Sequence, residues 1–439
     1  MTRKAETILR SRRVALPGGE RPAAVGFRDG IITSIQAYET TGEDLGDLVI
    51  LPGLIDPHVH VNEPGRTDWE GFSSATRAAA AGGITLIADM PLNSSPVTTT
   101  AAALDTKRHA TAGQLAIDVA FHGGLVQGNA GQIPALVKAG VPAVKAFLCH
   151  SGLDEFPNAK PEDLRLALKH LAALHVPLLA HAELVHEMPA MSNPRRYADY
   201  LASRPRSFES NAIALLIELC RESGAAVHIV HLADAHSLPM LKAARHEALP
   251  ITVETCPHYL FFDPAEIAEG ATQYKCAPPI REDREQLMQA LFDGDIDMVA
   301  SDHSPCLPAM KRSDGRFDLA WGGISSLQLG LPIVLTAGGD RVTPSHAARW
   351  MSDAPAKLLG VDHQRGSIEV GKRADFAVID WKRTWTVDAN KLQHRHAITP
   401  YDGRTLRGVV RRTYLAGERV YQDGRFAAAA LGTMVKRHD

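Results

Sequence analysis

Cysteine is scarce in this chain. Five occur among 439 residues, Cys149, Cys220, Cys256, Cys276 and Cys306. Their number is odd, they are dispersed and no CxxC pair exists, which excludes a disulfide framework. Long apolar runs are missing too. No stretch reaches the roughly 18 apolar residues of a membrane-spanning helix. The opening "MTRKAETILRSRRVALPGGE" is basic but lacks the apolar core of a secretory signal. The expectation is a reduced, cytoplasmic protein. A surplus of one charge is also absent. Lys plus Arg is 47 and Asp plus Glu is 50, a formal net charge of -3. That balance argues against nucleic acid and against an acidic membrane as partner.

Histidine is abundant, with 20 residues, and this points towards metal or acid–base chemistry. The length allows two or three domains, or one large barrel with an appendage. Both ends have the same texture. "RRVALPGGERPAAVGFRDGIITSIQAY" and "GVVRRTYLAGERVYQDGRF" read as short strands around Gly and Asp-Gly turns. Residues 1–50 and 363–439 are therefore expected to pair into one small β domain. Between them, over 51–362, eight short apolar runs alternate with helical patterns such as "KPEDLRLALKHLAALH". Eight β–α units predict a TIM barrel. The Ala/Thr-rich "TTTAAALDTKRHATAGQ" gives the weakest of the helical patterns.

The polar residues fall late in the runs: His58, His60, Asp89, Lys145, His181, His231, His258 and Asp302. In a TIM barrel that end carries the active site. His58 and His60 are two apart, so a strand points both to one face. Such a pair is either a hydrogen-bonded core pair or two metal ligands, and its company favours metal. Lys145 in "PAVKAFLC" is either paired with a buried carboxylate or held neutral by burial. A neutral amine can take up carbon dioxide and become a carbamate that bridges two metals. His181 and His231 end the fifth and sixth runs and read as further ligands. His228, three residues before His231, reads as structural, and Glu183 as a partner behind His181. Asp302 in "VASDHSPC" is a turn aspartate, or a metal ligand that also takes a proton from water. His258 either touches substrate or supports the seventh run.

At this point the residues carry a resemblance. "LPGLIDPHVHVNEPG", "VKAF", "AHAE", "HIVH" and "SDHSPC" resemble the amidohydrolase superfamily, in its branch of cyclic amide hydrolases. The likeness runs over nearly the whole chain. It implies a distorted TIM barrel beside a β-sandwich made from both termini. It also implies two divalent metal ions, of the zinc type, with a carbamylated lysine between them. These carry over onto His58, His60, Lys145, His181, His231 and Asp302, with Asp302 as catalytic base. Homodimers or homotetramers are the family's habit. Non-catalytic scaffold relatives have lost ligand positions, and here none is lost.

Within the branch, dihydroorotases read HxHxR, and that arginine grips the substrate carboxylate. Asn62 stands in its place here, and an Asn offers no charged clamp. Cys306 likewise stands where dihydroorotases tend to have a histidine. "NEPGRTDWEGF", "VKAFLCHSGLDEFP", "KCAPPIRE", "AWGGISSLQ" and "RHAITPYDGRTLRG" are similar to the allantoinases of the branch. The implied substrate, allantoin, has a hydantoin ring, a ureido arm and no carboxylate. The implied contacts are Asn62, Asn93 and His258, backbone groups at Ala277 and Gly322, and Cys149 and Ser151 in a lid "CHSGLDEFPNAK". Glu63 and Arg66 are expected to form an ion pair that pins the Pro64–Gly65 turn. Trp321 is expected either in a wall of the pocket or in the core. Hydantoinase, dihydropyrimidinase and dihydroorotase are the other activities of the branch.

Overall fold

A computed structural model describes residues 5–312 and 314–437. The eight apolar runs all become strands. In order they are Leu54–Val59, Ile84–Asp89, a broken third run, Val144–Phe147, Leu178–His181, Val227–Ile229, Ile251–Thr255 and Met298–Val299. Each pairs in parallel with the next. Their residues are buried on both faces, as parallel strands under helices must be. The third run is interrupted at His122. Its first part, Asp118–Phe121, pairs backwards and its second part, Gly123–Leu125, pairs forwards. Hydrogen bonding therefore runs in sheets of three and six strands rather than in one ring. The opposite seam is bridged from Val59 to His303, where His60 N–H donates to the His303 carbonyl at 2.8 Å. The result is a distorted (β/α)8 barrel.

Helices follow the strands for local reasons. Pro161–Leu174 opens on a proline and two acidic residues, and ends at His175 in the left-handed conformation. It buries Leu164, Ala167, Leu168 and Leu171, spaced to share one face. The Ala/Thr-rich stretch also forms a helix, Ala101–Ala110, capped by the Thr100 side chain.

The two ends of the chain share one nine-stranded sheet. Thr7–Leu16 pairs with Val49–Pro52, and that strand pairs with Phe376–Thr386 from the other end. The sheet folds over on itself. Phe27 and Phe376 lie on strands well apart in sheet order, yet their rings are 5.5 Å apart. Between the two halves lies a separate apolar core, with Leu9, Val25, Ile32, Ile50 and Val378. The last described residues leave this sheet. Thr433 to Val435 run along the third barrel strand, exchanging hydrogen bonds with Val119, and Val435 belongs to one apolar cluster with Leu86 and Leu359. The stretch 363–437 thus contributes to the barrel as well as to the terminal sheet. Among the described residues no helix is long and apolar enough to cross a membrane.

Candidate metal-dependent active site

The C-terminal ends of the strands surround one cavity of about 510 Å³. His58, His60, Lys145, His181, His231 and Asp302 all line it. The first strand delivers two imidazoles. His58 Nε2 lies 3.2 Å and His60 Nε2 3.5 Å from Asp302 Oδ1. His231 closes the group, its ring 5.5 Å from His58 and 4.6 Å from His181. His231 and Asp302 both have positive φ, 42° and 45°. That conformation is uncommon outside glycine, although Asp and His adopt it more readily than most residues, and such positions gather at functional sites.

The charge states suit cation binding. Burial lowers His60 to about 4 and puts His231 well below its ordinary value, so both rings are neutral near pH 7. Burial alone would raise Asp302, but His58 and His60 outweigh it and hold the carboxyl well below its usual range. Burial lowers Lys145 to about 8. Its Nζ is fully enclosed and has no hydrogen-bond partner among the described residues, and neither has His231 Nδ1. Two neutral imidazoles, an ionised carboxylate and an orphaned amine around one point fit a divalent cation.

Carboxylates behind the histidines fix their orientation. Glu254 accepts from His58 Nδ1 at 2.5 Å and from His228 Nε2 at 3.1 Å. His228 is thus structural, as its position suggested, and its Nδ1 is 2.8 Å from Thr252 Oγ1. Glu183 accepts from His181 Nε2 at 2.9 Å and is held in turn by Arg204 at 2.5 Å. Neither Glu254 nor Arg204 was singled out from the sequence. A lone acidic residue inside the buried strand "ITVET" is the signal that marks Glu254.

The expected substrate contacts divide. Asn93, Cys149, Ser151, Ala277 and Gly322 line the cavity. Asn93 also reaches His60, its side-chain nitrogen 3.4 Å from Nδ1. The Ser151 hydroxyl donates to the Phe156 carbonyl at 2.6 Å, so it braces its own loop. Asn62 and His258 are fully buried and lie outside the lining of that cavity. Asn62 has φ 68° and donates to the Pro305 carbonyl at 3.1 Å. His258 packs against Tyr259. Cys306 is buried outside the lining as well. The Glu63–Arg66 ion pair is not formed. Glu63 instead accepts from Phe72 N–H at 2.8 Å, at the start of a helix. Arg66 reaches Glu155 at 3.0 Å and the Asn93 carbonyl at 3.0 Å. Asp89, another strand-end residue, lies outside the site and pairs with Lys107 at 2.6 Å. Trp321 is a wall residue.

A group of candidate metal ligands at the strand ends of such a barrel points to a class of metal-dependent hydrolases, and comparison with known proteins gives the same one. The profile of the amidohydrolase family matches residues 49–420. An allantoinase of Streptomyces avermitilis is 48% identical over 433 residues, 96% of this chain and 96% of its own. An allantoinase of Arabidopsis thaliana is 42% identical over 454 residues, 97% of this chain and 90% of its own. Among solved structures, the L-hydantoinase (dihydropyrimidinase) from Arthrobacter aurescens superposes with a TM-score of 0.90 at 27% identity, covering 98% of this chain and 99% of that one. The chain belongs to the amidohydrolase family and, within it, to the allantoinases. It is a metal-dependent cyclic amide hydrolase.

Proposed function

We propose that the protein opens the hydantoin ring of allantoin with water and releases allantoate. His58, His60, His181, His231 and Asp302, with Lys145 as a carbamate, would hold two divalent cations, zinc by the preference of this donor set. When bound, the cation pair supplies a nucleophile at neutral pH and polarises the scissile carbonyl. Lys145 Nζ adds to carbon dioxide and releases one proton, giving an anionic ligand with two oxygens. The Asp302 carboxylate accepts the proton of the attacking water. It returns that proton to the ring nitrogen as the C–N bond breaks. The cavity walls at Asn93, Cys149, Ser151, Ala277 and Gly322 orient the ring and exclude water.

The observation that carries this reading is the contrast between two buried lysines. Lys107 is satisfied by the Asp89 carboxylate and by the Met90 carbonyl. Lys145 is equally buried and has no carboxylate within ion-pair distance among the described residues. It stands among imidazoles, where only a change of chemistry satisfies it. All five cysteines are unpaired and buried, which supports a reducing, cytoplasmic setting. The family habit supports a homodimer or homotetramer.

The test is ring opening of allantoin, hydantoin, dihydrouracil and dihydroorotate at equal concentration by zinc-loaded protein. Allantoin is expected to be turned over fastest. Asp302→Asn is expected to lose at least about a thousandfold in kcat, since a base and a ligand go together. Faster turnover of hydantoin or dihydroorotate would overturn the allantoin assignment, and an active Asp302→Asn would overturn the mechanism.

A further inference from the structure

Three segments meet at one wall of the cavity, and a buried lysine and a half-buried one hold them there. Lys311 Nζ donates to the Trp321 carbonyl at 3.0 Å and to the Gly323 carbonyl at 2.5 Å. Lys275 Nζ donates to the Ala320 carbonyl at 2.6 Å. Trp321 N–H donates to the Met310 carbonyl and Gly323 N–H to the Lys275 carbonyl, each at 2.8 Å. Gly323 has φ 144°, and a Cβ there would lie 2.3 Å from the Ser304 carbonyl, so only glycine fits. Among the described residues, neither the N–H nor the C=O of Gly322 has a protein partner. A Cβ at Gly322 would meet nothing within 4 Å, and the residue lines the cavity. The wall therefore presents one free donor and one free acceptor from a single residue, which is the complement of a ring amide.

Neither lysine has a carboxylate within 4.0 Å among the described residues; peptide carbonyls are their hydrogen-bond partners. The carbonyl of Trp321 and the N–H of Gly322 belong to one conjugated peptide unit. An ammonium at the oxygen draws electron density through that unit and strengthens the N–H as a donor, more so in a dry wall. We propose that Lys311, supported by Lys275, is a positioning residue for substrate: it fixes and polarises the Trp321–Gly322 peptide, whose N–H binds a carbonyl of the cyclic amide. This rests on the cyclic-amide reading above and adds the groups that set the strength of binding.

The test uses the zinc-loaded full chain with allantoin as probe. Lys311→Met is expected to raise KM about tenfold, the loss of some 1.4 kcal/mol of binding. The zinc content should be that of the unmodified protein and kcat should change little, the pattern of lost uniform binding. Lys311→Arg, which keeps a cation, is expected to recover most of the KM. If Lys311→Met does not fold, as judged by circular dichroism, Lys275→Met is read in its place and should show a smaller rise in KM. An unchanged KM in a folded methionine variant overturns the proposal. So does a fall in kcat accompanied by loss of zinc, which would place the lysine's effect at the metal centre. Failure of the unmodified protein to turn over allantoin would instead count against the substrate assignment, so the two failures are distinct.

Discussion

A carboxylate behind a histidine decides which ring nitrogen that histidine presents. Glu254 is ionised and can only accept, so His58 carries its proton on Nδ1 and leaves Nε2 towards Asp302. The same carboxylate also accepts from the backbone N–H of His231 at 3.2 Å. One buried group thus orders candidate ligands at the ends of the first and sixth strands. Glu254→Gln keeps the shape but loses the charge. It is expected to weaken zinc binding by about 10- to 100-fold, measured by competition with a chelator. An unchanged affinity would mean that packing alone orients His58. At this scale the sequence was legible where spacing fixes direction, as for His58 and His60 on one strand face. It was not legible for Asn62, two residues further, because a left-handed backbone there turns the side chain towards Pro305.

The elements owe their boundaries to local chemistry and their anchors to distant partners. The helix Ala101–Ala110 starts where Thr100 accepts from Ala103 N–H. Thr100→Ala is expected to cost about 1 kcal/mol of stability. Faster amide exchange in the first turn of that helix would locate the loss. The helix is then fixed to the barrel by Lys107, which reaches Asp89 and the Met90 carbonyl. The segment after the fourth strand is likewise a built element. Ser151 braces it from inside, and Arg66 ties it through Glu155 to the loops after the first and second strands. A pairing of Glu63 with Arg66 was a natural reading of neighbours in sequence. A helix N-terminus and a distant carboxylate compete better for the two groups, because those partners lie where each side chain points.

At the scale of the molecule, a buried charge network joins the parts. Arg365 bonds Asp118 of the third barrel strand and lies 3.2 Å from Asp375, beside the terminal sheet. Arg373 contacts the same two carboxylates at 3.0 and 3.3 Å. Thr433, near the far end of the chain, donates N–H to Asp118 at 2.7 Å. Barrel, terminal sheet and C-terminal segment therefore converge on two carboxylates. Arg365→Met removes one cation from this buried set and is expected to destabilise the protein by about 3–5 kcal/mol. The unfolding midpoint in urea should fall accordingly, while kcat and KM of the folded protein stay as they are. A midpoint within error of the unmodified protein would show that Arg373 alone satisfies both carboxylates.

The sequence by itself determined the barrel, the joining of both ends in one sheet and the identities of the six candidate ligands. The first two rest on short-range physics, run length for strands and apolar spacing for helices, and the ligand candidates on polar residues late in the runs together with the family resemblance. Tertiary structure decided the rest. It broke the third strand at His122, sent residues 433–435 back to the barrel, and placed Glu254 and Arg204 behind the histidines. It also gave Lys107 a carboxylate partner and left Lys145 without one. Burial and partnership are properties of what packs nearby, and a buried charge is defined by the group that reaches it across the fold.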